Sequence, residues 1–204
     1  MYANGKYAFT VFTPTFNRAH TLPRVWNSLR QQTFKDFEWI IVDDGSGDNT
    51  CDLVSTFRRR SEFPVRYLWQ QHSHKKAAYN FAVREALGIL FLGFDSDDEC
   101  VPTALERFWW HWNNIAVLKR DQFSAVTALC TYPDGRVVGD RFPCAEWRDA
   151  DSIEMAHGWK VSGDKWGFQR TDVMRRFPFP ENIDGLVPEG VVGHRSRFIT
   201  KHVS

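Results

Sequence analysis

The chain lacks most of the devices that hold small or secreted proteins together. Its four cysteines, Cys51, Cys100, Cys130 and Cys144, form no CxxC pair and no dense framework, so the expectation is reduced thiols in an intracellular protein without a structural disulfide. The longest uncharged apolar run, Ala86 to Phe94, is nine residues, well below the ~20 needed to cross a bilayer. Met1 to Lys6 has neither the charged start nor the apolar stretch of a secretory leader. No excess of one charge exists either: the formal net charge is +1, and residues 1–100 carry 12 basic against 12 acidic residues. That balance excludes a nucleic-acid-binding footprint. One local asymmetry remains, because no acid follows Glu189 while Arg195, Arg197 and Lys201 do, and this tail reads as a solvated helix face. There is no internal repeat and no linker.

What is present suits an ordinary globular chain. With 204 residues, 43% hydrophobic and 25% charged, one domain is expected, burying roughly 70% of its unfolded surface without needing a metal to stay folded. The run from Tyr7 to Thr13 is β-rich and is expected to be stopped by Pro14. Leu22, Val25, Trp26 and Leu29 then recur with helical period inside Thr21 to Gln32. The pair repeats as Phe37–Val42 with Asp52–Arg60, Val65–Trp69 with Lys76–Leu87, and Ile89–Phe94 with Pro102–Trp112. Four successive strand–helix units imply a doubly wound, mostly parallel sheet with helices on both faces. After Phe123 the rhythm changes to a strand at Ser124–Thr131, a turn at Tyr132-Pro-Asp-Gly135 and a return strand at Arg136–Gly139. Short helices are predicted near Ser152–His157 and Pro188–Phe198. This second half reads as an antiparallel addition to the same sheet.

In open α/β sheets ligands bind beyond the carboxyl ends of the strands, and the carboxylates collect there. Strand two ends in Asp43-Asp44-Gly45-Ser46, and strand four in Asp95-Ser96-Asp97-Asp98-Glu99. Three aspartates within four residues repel one another unless a cation or donor groups compensate. Mg²⁺ or Mn²⁺ answers this economically, since such ions combine one or two carboxylates with substrate phosphates and water. A solvated acidic loop or helix cap is the competing reading. An EF-hand is excluded by Cys100 at the position that requires Gly and by Pro102 inside the loop. His72-Ser-His74 has no further His or Cys at zinc-ligand spacing and reads as a surface loop. Lys75-Lys76 opens a helix, where phosphate is attracted, although a solvated charge pair has the same appearance. A nucleotidyltransferase would need a Gly-rich loop after strand one, and Thr13-Pro-Thr-Phe-Asn-Arg18 has no glycine.

The ordered strings Phe12-Thr-Pro-Thr-Phe-Asn-Arg18, Gln32-Thr-Phe-Lys-Asp-Phe-Glu-Trp-Ile-Ile-Val-Asp-Asp-Gly-Ser46 and Phe94-Asp-Ser-Asp-Asp98 resemble the family 2 inverting glycosyltransferases of GT-A fold. A weaker stretch, Gly163 to Asp172, Phe177 to Glu181 and Val187 to Gly190, looks like the acceptor-side half of a bacterial subgroup. The resemblance implies one GT-A domain over 1–204, with a nucleotide-sugar-binding half at 1–122 and an acceptor-side half at 123–204. Relatives continue past the position of Ser204, so it also implies a missing C-terminal part. Carried over residue by residue, it places Pro14, Thr15, Asn17 and Arg18 against the nucleotide and gives Asp44 a hydrogen bond from the base. Lys75 and Asn80 fall on the helix passing base and phosphates. Asp95 and Asp97 form the DxD, with Asp97 and Asp98 toward Mn²⁺ or Mg²⁺. Glu189 is the implied catalytic base, and Asp164 and Asp172 are weaker candidates. The implied activity is inverting transfer from a nucleotide diphosphate sugar, UDP-sugar favoured, to an acceptor hydroxyl in bacterial surface polysaccharide or glycoconjugate synthesis. A non-catalytic nucleotide-sugar or glycan-binding domain of the same fold is the alternative. Implied partners are the donor and a glycan or lipid-linked acceptor, met in the cytoplasm at the inner face of the membrane. The chain departs from the subgroup at His72-Ser-His74, where a Gly-rich stretch is usual.

Overall fold

The computed structural model describes residues 5–143, 147–151, 153–182 and 199–203. The predicted helix at Pro188–Phe198, with Glu189, lies outside them. Four strand–helix units appear in the expected order: β1 (Tyr7–Thr15), α1 (Leu22–Arg30), β2 (Phe37–Asp43), α2 (Thr50–Arg60), β3 (Val65–Trp69), α3 (His74–Glu85), β4 (Gly88–Gly93) and α4 (Ala104–Asn113). A short 3₁₀ turn (Val117–Gln122) leads to β5 (Phe123–Leu129). Then come β6 (Trp147–Asp151), a π-helical turn (Glu154–Trp159), β7 (Lys165–Arg170), α5 (Thr171–Arg176) and β8 (Ile199–Val203). The described strands form one sheet in the order β3-β2-β1-β4-β7-β5-β8-β6. β3, β2, β1 and β4 are mutually parallel, while β7 runs antiparallel between β4 and β5, and β6 antiparallel to β8.

Alternation along the central strands explains the layering. Phe9, Val11, Trp39, Ile41, Leu90 and Leu92 pack on one face with Leu22, Val25 and Leu29 of α1, Val54 and Phe57 of α2, and Leu105, Phe108 and Trp112 of α4. Phe12, Ile40, Val42 and Phe91 pack on the other with Ala78, Tyr79, Ala82 and Val83 of α3 and Met174 of α5. Both faces are covered, so these strands are apolar almost throughout.

Five elements differ from the sequence expectation. Pro14 does not end β1, which continues to Thr15 with Pro14 opposite Val42. Phe12 directs its carbonyl to β4, accepting from Phe94 N, and Thr15 directs its own to β2, accepting from Asp44 N. Pro14 therefore turns its missing N–H toward β4, whose pairing with β1 has already ended at Phe12–Gly93, so no ladder bond is lost. The return strand at Arg136–Gly139 is reduced to a single bridge between Thr131 and Val137. β7 and α5 carry no periodic signal, and Gly167 weakens β7 further as a strand pattern. That glycine is required by packing, because a Cβ there would lie 2.1 Å from the Val126 carbonyl oxygen. β8 falls just past the segment read as the last helix.

The amino ends of the parallel strands are tied by a buried carboxylate. Glu38 is fully buried and accepts from Thr10 Oγ1 (2.7 Å), the Leu87 amide (2.6 Å) and Arg66 (3.2 Å), while Arg66 also pairs with Glu85 at 2.8 Å. These five residues join β1, β2, β3 and the end of α3. Replacing Glu38 with Ala leaves a buried amide and a half-paired guanidinium, and should cost about 3 kcal/mol. Urea unfolding would show this as a lower midpoint at unchanged slope; a midpoint equal to wild type would show that the network contributes nothing net.

Candidate active site

The chain builds β1, β2 and β3 outward in one direction and then crosses to β4 on the other side of β1. The strand order therefore reverses between β1 and β4, which is where open α/β sheets bind ligands. Beyond Phe12 and Gly93 the two strands part. The resulting cleft, about 370 Å³, is lined by Pro14, Thr15, Phe16, Arg18, Asp44, Lys75, Ala78, Asp95, Ser96 and Asp97. Thr15 is buried, and its hydroxyl oxygen has no hydrogen-bond partner among the described residues. Such a group is costly unless a ligand satisfies it.

Seven of the expected residues thus share one cleft: Pro14, Thr15, Arg18, Asp44, Lys75, Asp95 and Asp97. Lys75 Nζ meets both oxygens of Asp95, at 2.9 and 3.0 Å. Arg18 approaches Asp97 at 3.4 Å with both side chains about half exposed. Asp98 lies beside them. Burial first, then the charges of Asp95 and Asp97, push its carboxyl above the usual carboxylate range, with Lys75 opposing and Asp164 adding. Mutual repulsion of the clustered carboxylates thus adds to the effect of burial. Among the described residues no three His, Cys, Asp or Glu side chains already converge on a metal position. One or two carboxylates completed by phosphate oxygens and water are the usual Mg²⁺ arrangement, so Asp97 and Asp98 fit such an ion.

The acidic loop is held from behind. Gln32, buried, donates from its amide to Ser28 O, Val101 O and Cys100 Sγ, and accepts from the Leu105 amide. The Thr33 amide donates to Pro102 O at 2.8 Å, which keeps Pro102 ahead of α4 rather than in its first turn. Arg24 donates to Asp97 O at 2.8 Å and reaches Glu99 at 3.4 Å. Burial beside Asp98 and Glu99 pushes the Cys100 thiol up to about 12.

Asp44 is buried, and donors surround its carboxylate. Oδ1 accepts from Gln70 Nε2 (2.7 Å) and the Ser73 amide (2.8 Å); Oδ2 accepts from the His74 amide (3.0 Å) and lies 2.8 Å from His72 Nδ1. It therefore caps the start of α3, an anion at a helix N-terminus.

Other expected residues stand apart from the cleft. Asn17, in the left-handed region at φ 54°, links its loop to the next one, accepting from the Gly47 amide and donating its own amide to Ser46 Oγ. Asn80 is buried and clamps the segment after α5: its amide donates to Phe179 O and Glu181, and its oxygen accepts from the Phe179 amide. Glu189 lies outside the described residues. Of the other acids, Asp172 is gripped at two points by Arg170, at 2.9 and 2.6 Å. Burial pushes the Asp172 carboxyl up, and the Arg170 pairing outweighs this, leaving it below its ordinary range. Asp164 precedes β7, whose Trp166 indole donates to Gly93 O at 2.6 Å, so it sits at the same sheet edge as Asp95 and Asp98. Phe16, Ala78 and Ser96 were not singled out as lining residues. For Phe16 the sequence signal is an aromatic in a loop next to Pro14 and Thr15; the structure leaves its ring half exposed where a core residue would be buried.

Comparison with known proteins places this geometry. The family described as glycosyl transferase family 2 matches residues 10–169. An uncharacterized glycosyltransferase of Nostoc sp. is 32% identical over 98 residues, 48% of this chain and 30% of the relative. Poly(ribitol-phosphate) beta-N-acetylglucosaminyltransferase TarS of Staphylococcus aureus is 34% identical over 92 residues, 44% of this chain and 16% of TarS. The chain thus spans well under half the length of these curated relatives. Among solved structures, TarS residues 1–349 superpose with TM-score 0.75 at 21% identity, covering 96% of this chain and 58% of that one, and the same fragment is known with UDP-GlcNAc. A mannosyltransferase from Pyrobaculum calidifontis, in complex with GDP-Man and Mn²⁺, superposes with TM-score 0.62 at 17% identity over 87% of this chain and 49% of that one. With the match running from β1 through β7, the chain belongs to glycosyl transferase family 2, and its fold is the GT-A arrangement.

Proposed function

We propose that the chain transfers a sugar from a nucleotide diphosphate donor, a UDP-sugar in the first place, to an acceptor hydroxyl with inversion at the anomeric carbon. One observation carries the reading: at the switch point of the sheet, Thr15, Arg18, Lys75, Asp95 and Asp97 line a single cleft beside Asp98. Cations suited to a diphosphate and carboxylates suited to a divalent cation meet there. The UDP-GlcNAc bound by TarS supports the donor class, and the Mn²⁺ and GDP-Man of the mannosyltransferase support the metal.

In this mechanism the acceptor oxygen bonds to the anomeric carbon as the bond from that carbon to the diphosphate breaks. The nucleoside diphosphate leaves, and the acceptor proton passes to a carboxylate. Lys75 and Arg18 hold the diphosphate oxygens, and Thr15 donates its hydroxyl to the nucleotide. Asp97 and Asp98 would hold Mg²⁺ or Mn²⁺, which when bound would supply Lewis-acid neutralisation of the leaving diphosphate. Glu189 takes the proton. Asp172, committed to Arg170, is a poor substitute, while Asp164 is the nearer reserve. The acceptor is the hydroxyl of a bacterial surface polymer or lipid-linked glycan, reached in the cytoplasm at the inner membrane face. No helix among the described residues is long and apolar enough to cross a membrane.

Two measurements test the reading. In calorimetric titrations UDP should bind in Mn²⁺ and lose its affinity in chelator, and Asp98→Asn should weaken the Mn²⁺-dependent binding about tenfold or more. Equal affinity in chelator would remove the metal. Glu189→Gln should lower sugar transfer, or donor hydrolysis where transfer is too slow, by about 100-fold while UDP affinity holds, as expected of a group acting in the transition state. Turnover near wild type would take Glu189 out of the mechanism.

A further inference from the structure

The His72-Ser-His74 stretch, which departs from the subgroup pattern, lies against the Asp44 end of the cleft. The His72 ring stacks on Phe16 with centroids 4.4 Å apart and planes 29° apart. Its Nδ1 is 2.8 Å from Asp44 Oδ2, and the His74 ring meets it edge-on at 5.0 Å. A flat nitrogen heterocycle lying on an aromatic face and offering an N–H to a buried carboxylate makes the two contacts by which proteins hold a nucleobase. An ionised carboxylate has about four acceptor positions, and here Gln70, His72, Ser73 and His74 occupy them.

The four donors are not equally tied. Ser73 and His74 give backbone amides at the start of α3, which can leave Asp44 only if the helix start unwinds. His72 gives a side chain that is 46% exposed, so rotation about its own bonds carries the ring into water. Gln70 also gives a side chain, but the His72 ring is the donor stacked on Phe16, so its departure frees an aromatic face and a carboxylate oxygen together.

We propose that His72 is a specificity-determining residue that occupies the nucleobase position in the free protein. An incoming base gains the Phe16 face and an Asp44 oxygen only by displacing the imidazole. The proposal rests on the nucleotide reading of the cleft. Its consequence is selective: the residue taxes the base end of a donor and leaves the diphosphate end untouched. A ligand with no base, or with a base unable to donate an N–H, gains nothing from the displacement.

Calorimetric titration of UDP, GDP and inorganic pyrophosphate, all in Mn²⁺, into wild type, His72→Ala and His72→Phe tests this. Removing an internal competitor raises the fraction of binding-competent protein, so His72→Ala should bind UDP about fivefold more tightly or better, with pyrophosphate unchanged. His72→Phe keeps a ring on Phe16 but cannot donate to Asp44, and should fall between. Weaker UDP binding by His72→Ala would make the imidazole a partner of the base rather than its substitute and overturn the proposal. So would an equal gain for pyrophosphate, which would place the effect away from the base. Nucleotide affinities equal in all three proteins would overturn the role of His72 alone. Pyrophosphate binding without any added affinity from a nucleoside, in wild type and variants alike, would overturn the nucleotide reading and this proposal together.

Discussion

Everything at the carboxyl edge of the sheet follows from one constraint: β1 and β4 pair as far as Phe12 and Gly93 and then part. A buried peptide group must find a partner, and Pro14, with no N–H to satisfy on the β4 side, lets β1 continue past that point paired with β2 alone. The gap so created is bounded by backbone already anchored on its outer sides, through Phe94 N to Phe12 O and Asp44 N to Thr15 O. The cleft is therefore a consequence of strand geometry, and the loops only furnish it.

The furnishing divides the acids into two kinds. Glu38 and Asp44 are buried and surrounded by donors from the protein itself, so they act as internal ties. Asp95, Asp97 and Asp98 crowd one loop, and burial first, then the charges of Asp95 and Asp97, raises the Asp98 carboxyl. An acid satisfied by its own chain fixes structure, whereas a cluster left in mutual repulsion is poised for an external cation.

The strand–helix succession up to α4 was legible because each element repeats its own period and both faces of the sheet are buried. Most cleft residues were legible because strand ends and motif strings named the same positions. Other features were out of reach for specific reasons. Whether Pro14 breaks a strand depends on which neighbour its nitrogen faces. β7 is a short segment made a strand by the two strands that flank it, with a glycine that only the Val126 carbonyl explains. Asn80 sits on the expected helix, but its partners, Phe179 and Glu181, lie about a hundred residues away, and no local pattern announces them. The donors around Asp44 come from a loop whose sequence suggested only surface.

The clasp made by Gln32 has a bearing on how the acidic loop meets a ligand. With Phe94 fixed to β1 in front and residues 100–105 fixed to the end of α1 behind, only the short span between them is free to rearrange. A loop tethered this closely at both ends has little conformational entropy left to lose when a cation or diphosphate arrives. Its carboxylates are preorganised, and the ordering cost that a longer, untethered acidic loop would meet at binding has been met at folding.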